Sequence, residues 1–93
     1  MLSSIPVDLS KVRKEDIDKE VLRLGVIAEL DAISLYEQMA NMTENYDIKK
    51  VLLEIAREEK THVGEFQTLL LKLDKQQEKE LEKGKQEVEE LVK

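Results

Sequence analysis

The sequence predicts an all-α protein: an antiparallel two-helix hairpin plus a short C-terminal helix, dimerising into a four-helix bundle. Three observations lead there. Charged residues make up 39% of the chain and aromatics 3%, with one Pro and three Gly, the composition of long amphipathic helices and not of a sheet. Apolar residues recur at alternating three- and four-residue steps along two stretches parted by a short polar break. The chain is only 93 residues long, and a domain of that size buries too little surface to be secure alone.

Residues 1–13 read as an irregular N-terminal segment, because Pro6 opposes helix and Ser3, Ser4 and Ser10 favour turns and caps. Lys14, Glu15, Asp16 and Asp18 then open a helix, the acids standing favourably near the positive end of its dipole. Its apolar stripe is Leu22, Val26, Ile33, Tyr36 and Ala40, and the pattern runs to about Met42. TENYD (43–47) breaks it, since Thr43, Asn45 and Asp47 compete for local backbone bonds or cap a following helix. A second helix spans about Tyr46 to Leu73, with the stripe Leu52, Ile55, Phe66, Leu69 and Leu73. Residues 14–73 thus form the hairpin. Residues 74–93 are mostly Lys, Glu and Gln; Leu81, Val88, Leu91 and Val92 allow a charged C-terminal helix or linker, broken at Gly84. Each main helix is about 42–45 Å long at about 1.5 Å per residue. Two helices cannot surround a core, so their apolar faces call for a second hairpin.

The formal charge of -6 argues against a nucleic-acid partner, because phosphate binding wants a basic face. No apolar run approaches the roughly 20 residues that span a bilayer. Pro6, Asp8 and Lys11 interrupt any signal-peptide core. A soluble, cytoplasmic protein is expected. With no Cys, disulfides and thiolate metal ligands are excluded.

Three seam positions break the apolar rule. The stripe of the first helix, read as 22, 26, 29, 33, 36, 40, places Glu29 on the seam; that of the second, read as 52, 55, 59, 62, 66, 69, 73, places Glu59 and the single His, His62, there. Pattern alone assigns such positions to apolar side chains. With the loop centred near Glu44, residues whose numbers sum to about 88 lie level, so Glu29 faces Glu59 about 22 Å from the turn at about 1.5 Å per residue. Gly25 and Gly64 fall at matching heights beside this layer. Each costs roughly 1 kcal/mol against Ala inside a helix, which close helix approach would explain. Buried carboxylates must be protonated, paired with cations or bound to metal. Two hairpins about a twofold axis supply Glu29, Glu59 and His62 twice, the ligand set of di-iron bundles: a Glu from two helices and Glu-x-x-His from the other two. The four carboxylates balance two divalent ions, two Fe per dimer. Carboxylate with imidazole suits iron or manganese. The expected chemistry is binding of two Fe(II), two-electron reduction of dioxygen and release of Fe(III) for storage. Tyr36, two turns from Glu29, is placed to hydrogen-bond a ligating carboxylate in its own or the partner chain.

Each residue has a plainer reading. Glu-x-x-His arises easily in a helix this charged. His62 alone could be a satisfied core histidine donating to Glu59 or a backbone carbonyl, and Glu29 could meet a Lys or Arg of a partner. Tyr36 could be an ordinary interface residue. Asp31, Glu58 and Glu65 lie off the seam and read as a solvated face, and Met39 and Met42 as packing residues. A non-catalytic dimerisation module is the alternative from another class, and a peroxidase the alternative within the same ligand set.

AELDAISLYEQMA (28–40) and AREEKTHVGEF (56–66) resemble the encapsulated ferritins, ferritin-like proteins housed in encapsulin nanocompartments, and are most similar to the archaeal type in which this domain precedes the shell domain in one polypeptide. The likeness covers about residues 15–73. It implies a ferritin-like bundle with Glu29, Glu59 and His62 as iron ligands at a dimer interface, ferroxidase activity, a ring of five dimers, and an encapsulin shell protein or fused shell domain as partner. The place of action is then cytoplasmic, inside the nanocompartment. Tyr36 matches a tyrosine supporting the first ligand. Asp31 matches one acidic residue by which metal reaches the site, while Ala28 stands where another is usual. The family's peroxidase relatives, the rubrerythrins, carry a second iron centre that needs Cys. GKQEVEELVK (84–93) lacks the apolar, basic tail by which free cargo members dock on the shell, so an excised domain or a natural continuation into a shell domain is expected.

Overall fold

The computed structural model describes residues 8–93; most of the expected irregular N-terminal segment, residues 1–7, lies outside the described residues. The described part of that segment holds a 3-10 turn, Leu9–Lys11, in which the Ser10 amide and hydroxyl both donate to Asp8 Oδ1 at 3.0 and 2.6 Å. A second 3-10 turn, Lys14–Asp16, leads into α1 (Ile17–Met42), so the true α-helix begins three residues later than the charge pattern suggests. The carboxylate of Asp16 is taken up by Arg13 and Lys19, at 3.2 and 3.3 Å, and gives α1 no side-chain cap.

The turn is short. Thr43 and Asn45 are extended, and α2 (Tyr46–Leu73) starts at once, with Asn45 Oδ1 accepting from the Ile48 amide at 3.0 Å. Asn45 is thus a side-chain N-cap, and Asp47 sits in the first turn, where the dipole favours it. A single non-helical residue, Asp74, parts α2 from α3 (Lys75–Leu91). Its Oδ1 accepts from the Gln77 amide at 3.0 Å and its Oδ2 from Arg23 Nη2 at 2.9 Å. The same Arg23 reaches Glu20 at 2.6 Å. One carboxylate therefore caps α3 and ties the α2–α3 joint to α1. The helix expected to break at Gly84 runs straight through it: glycine lowers helix propensity without imposing a bend. The described residues measure 47 × 43 × 20 Å, so α3 extends away from the hairpin. None of its residues is buried.

The hairpin closes on small side chains. Among the described residues the buried apolar ones are Ala40, Ala56 and Leu70, and no large side chain is fully buried. Leu69 and Leu73, members of the apolar stripe, are half exposed in the single chain. The buried member of that run is Leu70, which lies on one face with Ala56, fourteen positions earlier. The sequence stripe therefore marks the open seam more than the contact between α1 and α2. Met42 is also exposed, against the expectation of a packing role. Glycine use is asymmetric. A Cβ on Gly25 would stand 2.9 Å from the Phe66 ring, whereas Gly64 has nothing within 4 Å. Only Gly25 serves close helix approach within the chain. No helix among the described residues is long and apolar enough to cross a membrane.

Two outcomes are expected. Ala56→Leu forces a bulky side chain between α1 and α2 and lowers stability by about 1–3 kcal/mol, read from thermal melts followed by circular dichroism. The Gln77 amide, foremost, and the Arg23 guanidinium hold the Asp74 carboxyl below its usual 3.8. A depressed carboxylate stabilises above its unfolded pKa and loses that contribution as pH falls through the folded one. Amide exchange protection of α3 should drop on acidification below the ordinary aspartate range, and Asp74→Ala should lack that step.

Candidate metal centre

Antiparallel pairing brings the three polar seam residues together. Glu29 comes from the middle of α1, and Glu59 and His62 stand one turn apart on α2. One ligand atom from each lies within 4.8 Å of the others. His62 Nδ1 is 3.5 Å from Glu29 Oε2 and 3.4 Å from Glu59 Oε2, longer than an ordinary N–H···O hydrogen bond. The two carboxylates are largely covered, each 18% exposed, and His62 is 46% exposed on the open side. Glu29 Oε2 is dry and has no hydrogen-bond partner.

No Lys or Arg among the described residues pairs with Glu29 or Glu59. Three cations of the hairpin are engaged elsewhere: Lys60 with Glu37 at 3.2 Å, Arg57 with Glu54, Arg23 with Glu20 and Asp74. Among the described residues of its own chain, Glu29 is therefore not the partner of a Lys or Arg. His62 is not a satisfied core histidine either, being half exposed and beyond hydrogen-bond reach of both acids. What the arrangement offers is three converging donors, two oxygens and a nitrogen, around a point lacking positive charge. Such a set fits a divalent cation, and the orphaned Glu29 oxygen is the feature that fit would satisfy.

A groove of about 410 Å³ opens onto the group, lined by Glu29, His62, Glu65, Phe66 and Leu69. Glu58 and Glu65 are exposed, as expected. Asp31 is not: it is 7% exposed. It stands nine positions before the buried Ala40, half a turn round the helix at about 100° per residue, so α1 is covered on two opposite sides. A single-stripe pattern assigns only one side to the interior. Tyr36 is half buried and makes no hydrogen bond to either carboxylate of its own chain among the described residues. The sequence reading missed the Gly25–Phe66 contact beside the group. The signal was there, since Gly25 precedes Glu29 by one turn and Phe66 follows His62 by one turn.

An all-helical hairpin carrying Glu on one helix and Glu-x-x-His on the other is the ferritin-like arrangement. The model of the rubrerythrin family matches residues 20–93, and the chain belongs to that family of ferritin-like proteins, among its encapsulated ferritins. It is 53% identical over 95 aligned residues to a ferritin-like–encapsulin shell fusion protein of Pyrococcus furiosus, a match covering 99% of this chain and 27% of that protein. It is 41% identical over 56 residues to an encapsulin nanocompartment cargo protein of Myxococcus xanthus, covering 60% of this chain and 43% of the relative. The chain thus spans less than half the length of either relative. The crystal structure of the encapsulated ferritin domain from Pyrococcus furiosus is similar throughout, with a TM-score of 0.83 and 49% identity over 99% of this chain and 94% of that one.

If the buried, unpartnered Glu29 oxygen weakens the metal-free chain, removing it should help. Glu29→Leu is expected to stabilise the metal-free protein by about 1–3 kcal/mol, the cost of an unsatisfied buried polar group. It should also abolish any rise in melting temperature on adding divalent metal. Calorimetry with and without Co(II) checks both.

Proposed function

We propose that the chain is one half of a ferroxidase, oxidising Fe(II) with dioxygen at a di-iron site completed by a second copy. The dry, unpartnered Glu29 oxygen carries this reading. It sits beside another carboxylate and an imidazole, on a face whose apolar side chains remain uncovered. One hairpin supplies Glu29, Glu59 and His62; two supply four carboxylates and two imidazoles, whose charge of -4 two Fe(II) ions balance. Ferrous ions held as a pair supply the two electrons that reduce dioxygen.

The chain's own residues hold and orient. Glu59 and His62, one turn apart on a single helix, keep a fixed spacing. Glu29 reaches across from α1 and neutralises its own buried charge by binding. Phe66 walls one side of the group against water. Tyr36 has no carboxylate partner among the described residues of its own chain, which leaves its hydroxyl for one on the partner copy. Asp31, screened from solvent in the single chain, is poorly placed to take up ions directly from solution.

The relatives named as encapsulin-fused and as encapsulin cargo support a cytoplasmic place of action inside an encapsulin nanocompartment, with Fe(III) stored within the shell. The partner is a shell protein or a fused shell domain. A ring of five dimers is the assembly proposed, with residues 14–73 as the ferritin-like unit and 74–93 as a separate arm.

Anaerobic titration should saturate at about one Fe(II) per chain, the ratio set by two ions per four-carboxylate bundle, and admission of oxygen should produce Fe(III) rapidly. Glu29→Ala, Glu59→Ala and His62→Ala should each lose that fast phase while keeping the helical dichroism. Full activity in these variants would falsify the assignment. Faster turnover with hydrogen peroxide than with oxygen would instead make the chain a peroxidase. A dimer mass indifferent to metal and chelator, with no metal retained, would leave only a dimerisation module.

A further inference from the structure

We infer that Gly25 and Phe66 are positioning residues for the metal group: their contact is a spacer that sets how far α1 stands from α2 at the level of Glu29, Glu59 and His62. The inference rests on the reading of those three as metal ligands. Gly25 lies four residues before Glu29 and Phe66 four residues after His62. Because the helices run in opposite directions, both fall on the same side of the group, about 6 Å along the axis at about 1.5 Å per residue. A Cβ on Gly25 would stand 2.9, 3.0 and 3.1 Å from Phe66 Cδ1, Cγ and Cδ2. These three atoms are the root of the ring, which cannot swing away as the tip of a long side chain could.

The contact is specific to this level. The other helical glycine of the hairpin, Gly64, has no neighbour within 4 Å, so shortage of space is not a general property of the pair. The contacts that close the hairpin elsewhere use Ala40, Ala56 and Leu70. Phe66 also lines the groove that Glu29 and His62 share. One ring thus fills the notch in α1 and shields the carboxylate it helps to place. Adding one methyl at position 25 must push α1 and α2 apart or tilt the ring into the groove. Either movement changes the reach from Glu29 to His62, now 3.5 Å.

The experiment uses Co(II), whose visible absorption reports ligand geometry, on the full chain. Gly25→Ala should alter the wild-type band and weaken Co(II) binding by about 10- to 100-fold, the range for residues that orient ligands. Gly25→Ala combined with Phe66→Leu, which makes room for the methyl, should recover both band and affinity toward wild type. Asn45→Ala, which removes the α2 cap at the turn, about 22 Å from the group at about 1.5 Å per residue, should lower the melting temperature and leave the band unchanged. A Gly25→Ala protein with wild-type band and affinity overturns the spacer and leaves the ligand reading standing. Wild-type protein that binds no Co(II) overturns the ligand reading itself, and the spacer with it. Should Gly25→Ala not fold, Phe66→Leu alone decides: an altered band supports the spacer and an unaltered one overturns it.

Discussion

Two carboxylates and an imidazole converge in this hairpin without a cation of their own. An unsatisfied oxygen in a dry place is costly, and a pair of acids held close is costlier still. The chain has fifteen Lys and Arg, yet Arg23, Arg57 and Lys60 of the hairpin turn to other acids. Lys60 stands next to Glu59 in sequence and pairs with Glu37 instead. Among the described residues no Lys or Arg neutralises Glu29, and under the proposed function that charge would come from a bound cation. The groove of Glu29, His62, Glu65, Phe66 and Leu69 opens onto the group.

Small side chains make the convergence reachable. A glutamate spans only a few ångströms, so carboxylates on two helices meet an imidazole only where the axes run close. Ala40 and Ala56 are fully covered by the opposing helix, and Gly25 takes the Phe66 ring into its own backbone surface. Leucines at those positions would give a better apolar core and a wider separation. The hairpin forgoes that core: its large apolar side chains, among them Val21, Leu69 and Leu73, stay open. Close approach within the hairpin and an uncovered face outside it are two results of one choice of side chains.

The helices and the turn were legible because they rest on local chemistry. Asn45 caps, Thr43 and Asn45 are extended, and the break at 43–47 needs no tertiary information to be read. The group of Glu29, Glu59 and His62 was legible because periodicity and antiparallel register are both one-dimensional. What periodicity could not report is which side of a stripe meets which neighbour. It put Leu69 and Leu73 on the stripe but not Leu70, the residue buried within the single chain, and it put Asp31 in solvent because it allows a helix only one covered side. Gly84 misled for a related reason: a residue that merely weakens a helix was read as one that ends it. The Asp74–Arg23 tie joins positions 51 apart, and no local rule reaches that far.

The open face has an order of its own. Near the open end of the hairpin a groove is lined by Val21, Leu22, Leu69 and Leu73, and near the turn another by Met39, Met42, Ile48 and Leu52. The acidic group lies between them. Under the proposed dimer, a second hairpin laid on this face can slide along apolar surface with little penalty, but any offset leaves acids against aliphatic side chains. Only one register gathers all four carboxylates and both imidazoles, and it holds only with cations present. Polar residues buried in helical interfaces set register at a cost in stability. In that dimer the same three side chains that would bind the ions would also decide how the two copies align, and assembly and metal binding would be a single equilibrium.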